Sequence, residues 1–326
     1  MHTDIKVGLS CNNKCIHCIM QPIKSRAEAD NIFIDAPLAE ILSLLDQAHR
    51  NGFKSITLTG GEITLRDDLT DMVLHANTLG LQITIQTNGR LLSKINLQPL
   101  HQIAASINFV IALHGASAII HDTITREKGS FTETVQGIES VLSQNFKVIG
   151  KIVLSCVNLS DVPGTLKLLT RLGVKEVLIS FPHAEDFAEE TFKQVVPRYS
   201  ELRPILDGIY EHADISSMRI DLETIPYCQI TDVKRWRHSS DLSTRLQELN
   251  SSGDSIIKMP MINETINWTL TRKEIKAKND SCKYCLLDHL CEGVWAEYAE
   301  RFGTSELVPI TDDSVIENFI NNLGTI

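Results

Sequence analysis

From residue 5 to about residue 182, short apolar β-branched runs alternate with amphipathic stretches. The runs IKVGL (5–9), SITLT (55–59), QITIQT (82–87), FVIALH (109–114), KVIGKIVLS (147–155) and EVLISF (176–181) read as strands. Between them, LAEILSLLDQAHR (38–50), LTDMVLHANTLG (69–80), FTETVQGIESVLSQ (131–144) and LKLLTRLG (166–173) place apolar residues at helical spacing, with a weaker pattern over 92–104. Strand–helix alternation requires parallel strands joined by right-handed crossovers. Six such units instead of eight predict an α/β fold, a partial (β/α)6 TIM-like barrel. Its reactive groups belong at the C-terminal ends of the strands.

The rhythm changes after FPHAEDFAEE. A helical pattern near 190–211 carries Pro197 and Pro204 and should be broken or kinked. Residues 228–281 are polar and mixed, with Ser-rich patches, and lead to the cysteine-rich CKYCLLDHLC. The expected organisation is a barrel over 1–205 and a small C-terminal unit over 206–326, with the boundary inside 185–210.

The start MHTDIKVGLS shows no basic region followed by an apolar core, so no signal peptide is expected. No apolar run approaches the length of a membrane span. Eight cysteines without an export signal suggest a reducing, cytoplasmic setting, where thiols hold metal or do chemistry. A formal net charge of -10 disfavours a nucleic-acid partner.

LSCNNKCIHCIM places Cys11, Cys15 and Cys18 directly after the first strand. Three thiols are one short of a closed zinc site, and His17, adjacent to Cys18, is poorly placed as a fourth ligand. Asn12, Asn13 and Lys14 argue against buried, unligated cysteines. An iron–sulfur cube with three protein thiolates keeps one iron open, and the C-x3-C-x2-C spacing lets one loop wrap three corners. TGGEITLR ends the second strand: Gly60 and Gly61 remove side chains so that a ligand can approach, and Glu62 adds a carboxylate able to accept from an ammonium. QTNGR ends the third strand with Thr87 and Asn88, and LHG the fourth, with His114 read as structural. Lys151, Ser155 and Asn158 lie on or just after the fifth strand, and Arg126 falls in HDTITREKGSF. Cys156 reads as core.

These motifs resemble the radical S-adenosylmethionine (radical SAM) superfamily. The resemblance implies a four-iron–four-sulfur cluster on Cys11, Cys15 and Cys18 whose open iron chelates SAM. Reductive cleavage of SAM then gives methionine and a 5′-deoxyadenosyl radical, which abstracts hydrogen from a substrate. It further implies that Gly60, Gly61 and Glu62 form the GGE motif at SAM's amino group, and that Thr87, Asn88, Arg126, Lys151, Ser155 and Asn158 supply further cofactor contacts. Ile63 and Ala112 depart from relatives, which often carry proline and serine there.

CKYCLLDHLCEGVWAEY holds Cys282, Cys285 and Cys291 in a C-x2-C-x5-C pattern, and Cys228 lies upstream in IPYC. Four thiolates would complete an auxiliary iron–sulfur cluster or a structural zinc site. The pattern resembles the SPASM extension in its reduced, twitch form, because Trp295 stands where the full pattern has another cysteine. Cys228 is then either the fourth ligand or a hydrogen donor to a substrate radical.

Such enzymes mostly crosslink, epimerise or oxidise ribosomally made peptides or proteins. The expected partners are a peptide or small-protein substrate and an electron donor such as flavodoxin or ferredoxin. The early first strand leaves no room for an N-terminal leader-binding domain, which weighs against crosslinking. The alternatives are a dehydrogenase or rearrangement enzyme acting on a small metabolite, and a non-catalytic zinc or iron–sulfur module.

Overall fold

The computed structural model describes residues 2–30, 34–183, 187–209, 217–239, 256–259 and 264–323. All six expected strands form: β1 (His2–Gly8), β2 (Ser55–Gly60), β3 (Gln82–Thr87), β4 (Ile107–Ala112), β5 (Lys147–Val153) and β6 (Glu176–Ser180). They pair in parallel, each with its sequence neighbour. The crossovers are helical. They include α1 (Met20–Ala29), α2 (Leu38–Arg50), α3 (Leu69–Thr78), α4 (Ala118–Thr125), α5 (Ser130–Ser143) and α6 (Val162–Leu172). In α2, Ile41, Leu45 and Ala48 recur at helical spacing and are buried, and Glu40 near its start and His49 and Arg50 at its end suit the helix dipole. The weak 92–104 pattern resolves into 3₁₀ turns over Gln98–Ser106.

Two departures matter. The sheet does not end near residue 205: β7 (Arg219–Glu223) pairs in parallel with β6, carrying the barrel to a seventh strand. At the other edge, β8 (Ile256–Met259) pairs in parallel with β1, and β9 (Glu264–Asn267) pairs antiparallel with β8. Among the described residues the order is β7-β6-β5-β4-β3-β2-β1-β8-β9. The loop after β1 meets the helix after β4, Lys14 N–H donating to Thr125 O and Ile16 N–H to Ile124 O, both at 2.9 Å, so the sheet curls and its inner face forms a lumen.

Pro197 separates α7 (Glu189–Val195) from α8 (Tyr199–Ile209), while Pro204 is accommodated within α8. After α9 (Trp268–Glu274), the two-stranded ladder of β10 (Lys276–Ala277) and β11 (Val294–Trp295) brackets the second cysteine loop. The next helix, α10 (Ala296–Phe302), is followed by α11 (Asp313–Leu323). Tyr298 of α10 seats this region on the barrel: its ring lies 4.8 Å from Tyr199 and 5.9 Å from Phe181, and its hydroxyl accepts the Tyr199 N–H at 3.1 Å.

Candidate active site at the first cysteine loop

The loop following β1 is held from three sides. From below, Asp35 accepts the N–H groups of Leu9 and Ser10 at 3.1 and 3.0 Å and the Ser10 hydroxyl at 2.5 Å. From α4, the last carbonyls Ile124 and Thr125 accept the N–H groups of Ile16 and Lys14, both at 2.9 Å. These are the unpaired acceptors that every helix C-terminus leaves. From the third strand's end, Asn88 donates to the Asn12 side chain at 2.6 Å. Arg90 donates to the Asn12 carbonyl and, at 2.8 Å, to Asn13 Oδ1. Arg90 is fixed in turn by Glu133 at 2.7 Å, which also takes Lys94 at 2.9 Å.

Within this frame Cys11, Cys15 and Cys18 are free thiols, each half-buried. Burial pushes the Cys15 thiol up to about 12, with Cys18 and Cys11 adding to it, and burial also raises Cys11. Metal coordination reverses this by deprotonating a thiol outright. His17 is held neutral by burial, its pKa lowered to about 4, and its Nδ1 is buried without a hydrogen-bond partner among the described residues. Its ring meets His114 edge-on at 4.7 Å, and His114 stacks on His121 at 5.8 Å.

The GGE turn docks backbone to backbone against β1. Gly61 N–H donates to Gly8 O and Glu62 N–H to Ser10 O, both at 2.7 Å. A Cβ on Gly60 would fall 2.2 Å from Gly8 O, and one on Gly61 2.1 Å from Ser10 O. Both glycines are therefore required by the root of the cysteine loop itself. Glu62 is buried, and its carboxylate accepts from Thr64 N at 2.9 Å, Thr64 Oγ1 and Thr87 Oγ1 at 2.5 Å, and Asn88 N at 2.6 Å. It knots the ends of β2 and β3 together. A polar cavity of about 210 Å³ opens beside it, lined by Gly8, Ser10, Asp35, Glu62 and Arg66 among others.

The fifth-strand candidates separate by role. Lys151 faces the lumen and donates to Glu223 at 3.3 Å. Ser155 and Asn158 are fully buried. Asn158 accepts from Ser155 N and Oγ at 2.7 and 3.1 Å and donates to the His114 and Val153 carbonyls at 3.0 and 2.9 Å. Asn158 thus ties the end of β4 to that of β5, and its side-chain atoms all meet protein partners. Arg126 is exposed, in left-handed conformation (φ 55°) at the C-cap of α4, immediately after the carbonyls that hold the loop. Cys156 is exposed, not core: β5 ends at Val153, two residues before the expected end, and Cys156 falls in the turn that follows.

The family model described as the Radical SAM superfamily matches residues 5–169. The chain belongs to the radical SAM superfamily. It is similar to the AdoMet-dependent heme synthase of Methanosarcina barkeri, with 26% identity over 67% of this chain and 60% of the relative. It is also similar to a probable GTP 3',8-cyclase of Saccharolobus solfataricus, with 28% identity over 63% of this chain and 64% of the relative. The chain spans less than two thirds of the length of these curated relatives. In fold it resembles Streptococcus suis SuiB (TM-score 0.64, 13% identity, 96% of this chain and 76% of that one). It also resembles anSMEcpe with bound AdoMet and Cp18Cys peptide (TM-score 0.62, 13% identity, 99% of this chain and 96% of that one). The chain is thus an enzyme of this superfamily, whose membership implies a four-iron–four-sulfur cluster. Three thiols on one clamped loop, with no fourth protein ligand placed beside them among the described residues, fit that group.

The second cysteine group of this radical SAM enzyme also converges. Cys228, Cys282, Cys285 and Cys291 line one small apolar cavity, closed by Leu287, Val308 and neighbours. The sulfurs receive donors: Ile310 N to Cys285 at 3.3 Å, Gly293 N to Cys291 at 3.4 Å and Gln229 Nε2 to Cys228 at 3.3 Å. Asn279 caps the loop by accepting from Ser281 N and Cys282 N, both at 3.0 Å. Gly293 (φ 84°) has no room for a side chain, since a Cβ would lie 2.2 Å from Ala277 O. Burial raises Cys291 to about 11. Among the described residues, no three His, Cys, Asp or Glu side chains form a ready single-ion site at either loop.

Sequence reasoning missed Arg90, Asp35 and Glu133. Arg90 lay inside the quoted QTNGR, and a cation following a strand-end turn was its only signal.

Proposed function

We propose that this radical SAM enzyme modifies a ribosomally made peptide or protein by abstracting hydrogen from an amino-acid carbon. Cys11, Cys15 and Cys18 would hold the SAM-binding cluster, and Cys228, Cys282, Cys285 and Cys291 a second one, in a SPASM- or twitch-like unit built around the second cysteine loop. A cluster held by Cys11, Cys15 and Cys18 would supply the electron for SAM cleavage, and a flavodoxin or ferredoxin would be its source. The chain's own residues do the rest: Asp35, Arg90 and the α4 carbonyls hold the loop, and Glu62 braces the floor.

The observation that carries the reading is the meeting of three cysteines of one loop with a fourth, Cys228, more than fifty residues upstream, around one cavity with N–H donors to sulfur. Amide donors favour thiolate and tune cluster potential. Two peptide-handling proteins support the substrate class: SuiB has been solved with precursor peptide SuiA, and anSMEcpe with Cp18Cys peptide. A small-molecule substrate is the second reading, favoured by the higher sequence identity to the heme synthase and GTP cyclase relatives.

The test is anaerobic reconstitution followed by iron analysis and incubation with SAM, dithionite and peptide. Two cubes correspond to about eight iron per chain, and 5′-deoxyadenosine should form, with peptide altering its yield. Zinc without iron, or iron without SAM cleavage, refutes the proposal. Unchanged yield with peptides and stimulation by a porphyrin or nucleotide would favour the second reading. Cys228→Ala should lower auxiliary iron; full iron with turnover abolished would make Cys228 the hydrogen donor.

A further inference from the structure

A 3₁₀ turn over Tyr227–Gln229 brings Cys228 to the cavity of the second cysteine loop. Cys285 and Cys291 draw donors from backbone N–H groups, whereas Cys228 draws one from a side chain, Gln229 Nε2 at 3.3 Å. Gln229 is fully buried. Its other bonds leave the amide one orientation. Arg203 Nη2 donates to Oε1 at 2.7 Å, and Nε2 donates to the Glu306 carbonyl at 2.6 Å. A guanidinium can only donate and a carbonyl can only accept, so a flipped amide would set donor against donor and acceptor against acceptor. The second N–H of the same nitrogen is the one that meets Cys228.

Both locks lead to one element. Arg203 lies on α8, and the Glu306 side chain accepts the Ser200 N–H of α8 at 2.8 Å and the Tyr298 hydroxyl. The helix between β6 and β7 thus sets the direction of an N–H at the second site. A hydrogen bond to sulfur is strongest when the sulfur is charged. The arrangement therefore suits a thiolate ligand better than a thiol that gives up hydrogen.

We propose that Gln229, locked by Arg203, is a positioning residue: it directs an N–H at the Cys228 thiolate and raises the reduction potential of a cluster held by the four cysteines. This inference rests on the second-cluster reading above. The bond draws charge from sulfur and so favours the more negative, reduced state. The site then takes up an electron more readily than the same four thiolates would unaided.

The test is a potentiometric titration of the reconstituted holoenzyme, followed by electron paramagnetic resonance with and without SAM. SAM alters the first site's signal, and the component it leaves unchanged reports the second site. Gln229→Leu removes the donor, and at a fixed potential the second site's reduced-to-oxidised ratio should fall about three- to tenfold. Gln229→Glu keeps a partner for Arg203 but has no N–H, and should lower the ratio too. The first site's midpoint should not move. Arg203→Met should lower the ratio in the wild type and by clearly less in the Gln229→Leu background, since it acts through the amide. Iron content and thermal unfolding report integrity, and Gln229→Glu and Arg203→Met carry the test if Gln229→Leu fails to fold or load. An unmoved second-site midpoint in the Gln229 variants at full iron overturns the proposal. So does an equal Arg203→Met shift in both backgrounds, because Arg203 would then be only a charge. About four iron per wild-type chain, half of that expected above, would instead refute the second cluster itself and this inference with it.

Discussion

The two cysteine regions solve one problem by opposite means. The first loop is held by distant side chains: Arg90 and Asn88 from the third strand's end, Asp35 from the approach to α2, and the final carbonyls of α4. Its three thiols stay half-buried beside an open lumen. The second loop relies on nearby backbone amides and an apolar lid over four thiols. The thiols of both regions are half-buried, so the contrast lies in the brace: distant side chains at the first loop, backbone amides at the second.

Several outcomes would break that contrast. The largest effect should come from Cys15→Ala, which removes a ligand of the open site. SAM cleavage should fall more than about a thousandfold while the second site keeps its iron. Cys285→Ala should do the reverse, losing auxiliary iron while the SAM-dependent change in the cluster's electron paramagnetic resonance persists. If both variants lost both signals, the two regions would be one cooperative unit.

A smaller effect is expected from the brace. Arg90→Gln removes donors to Asn12 and Asn13 and leaves Glu133 with Lys94 alone, so iron should leave the first site about 10–100-fold faster under chelator challenge. Arg90→Lys should restore little, because one ammonium cannot reproduce a fork reaching Asn12, Asn13 and Glu133 together. Iron release from the second site should not change.

Acid should also tell the regions apart. Burial holds His17 and His121 neutral, each lowered to about 4. A depressed pKa means the folded state resists protonation. The stability from these neutral rings is complete above the ordinary value near 6.5 and is lost as pH falls toward 4, at up to about 3 kcal/mol per ring. Hydrogen exchange over residues 11–18 should quicken across that window before exchange over 282–291 does. His121→Phe should flatten the dependence.

The least effect concerns a single turn. Gly293→Ala forces a side chain onto Ala277 O at positive φ, costing about 1–3 kcal/mol, visible as a lower unfolding midpoint with the first site intact.

Much of this was legible in the sequence. β1 to β6 are dense in Ile, Val and Leu, because one face of each meets the helices. β7 escaped notice because RIDLE gives three of its five positions to the lumen as Arg219, Asp221 and Glu223, which dilutes the apolar signal. Cys156 was misplaced because LS prolongs the apolar run of β5 past its last ladder residue. The cysteine spacings announced both cysteine loops. What holds the loops was hidden, since Arg90 and Asn12 are 78 residues apart and meet only through the parallel register.

The N–H groups of Lys14 and Ile16 rest on carbonyls of α4, which follows the fourth strand. Consequently the cradle cannot take shape until more than a third of the chain has been made and packed.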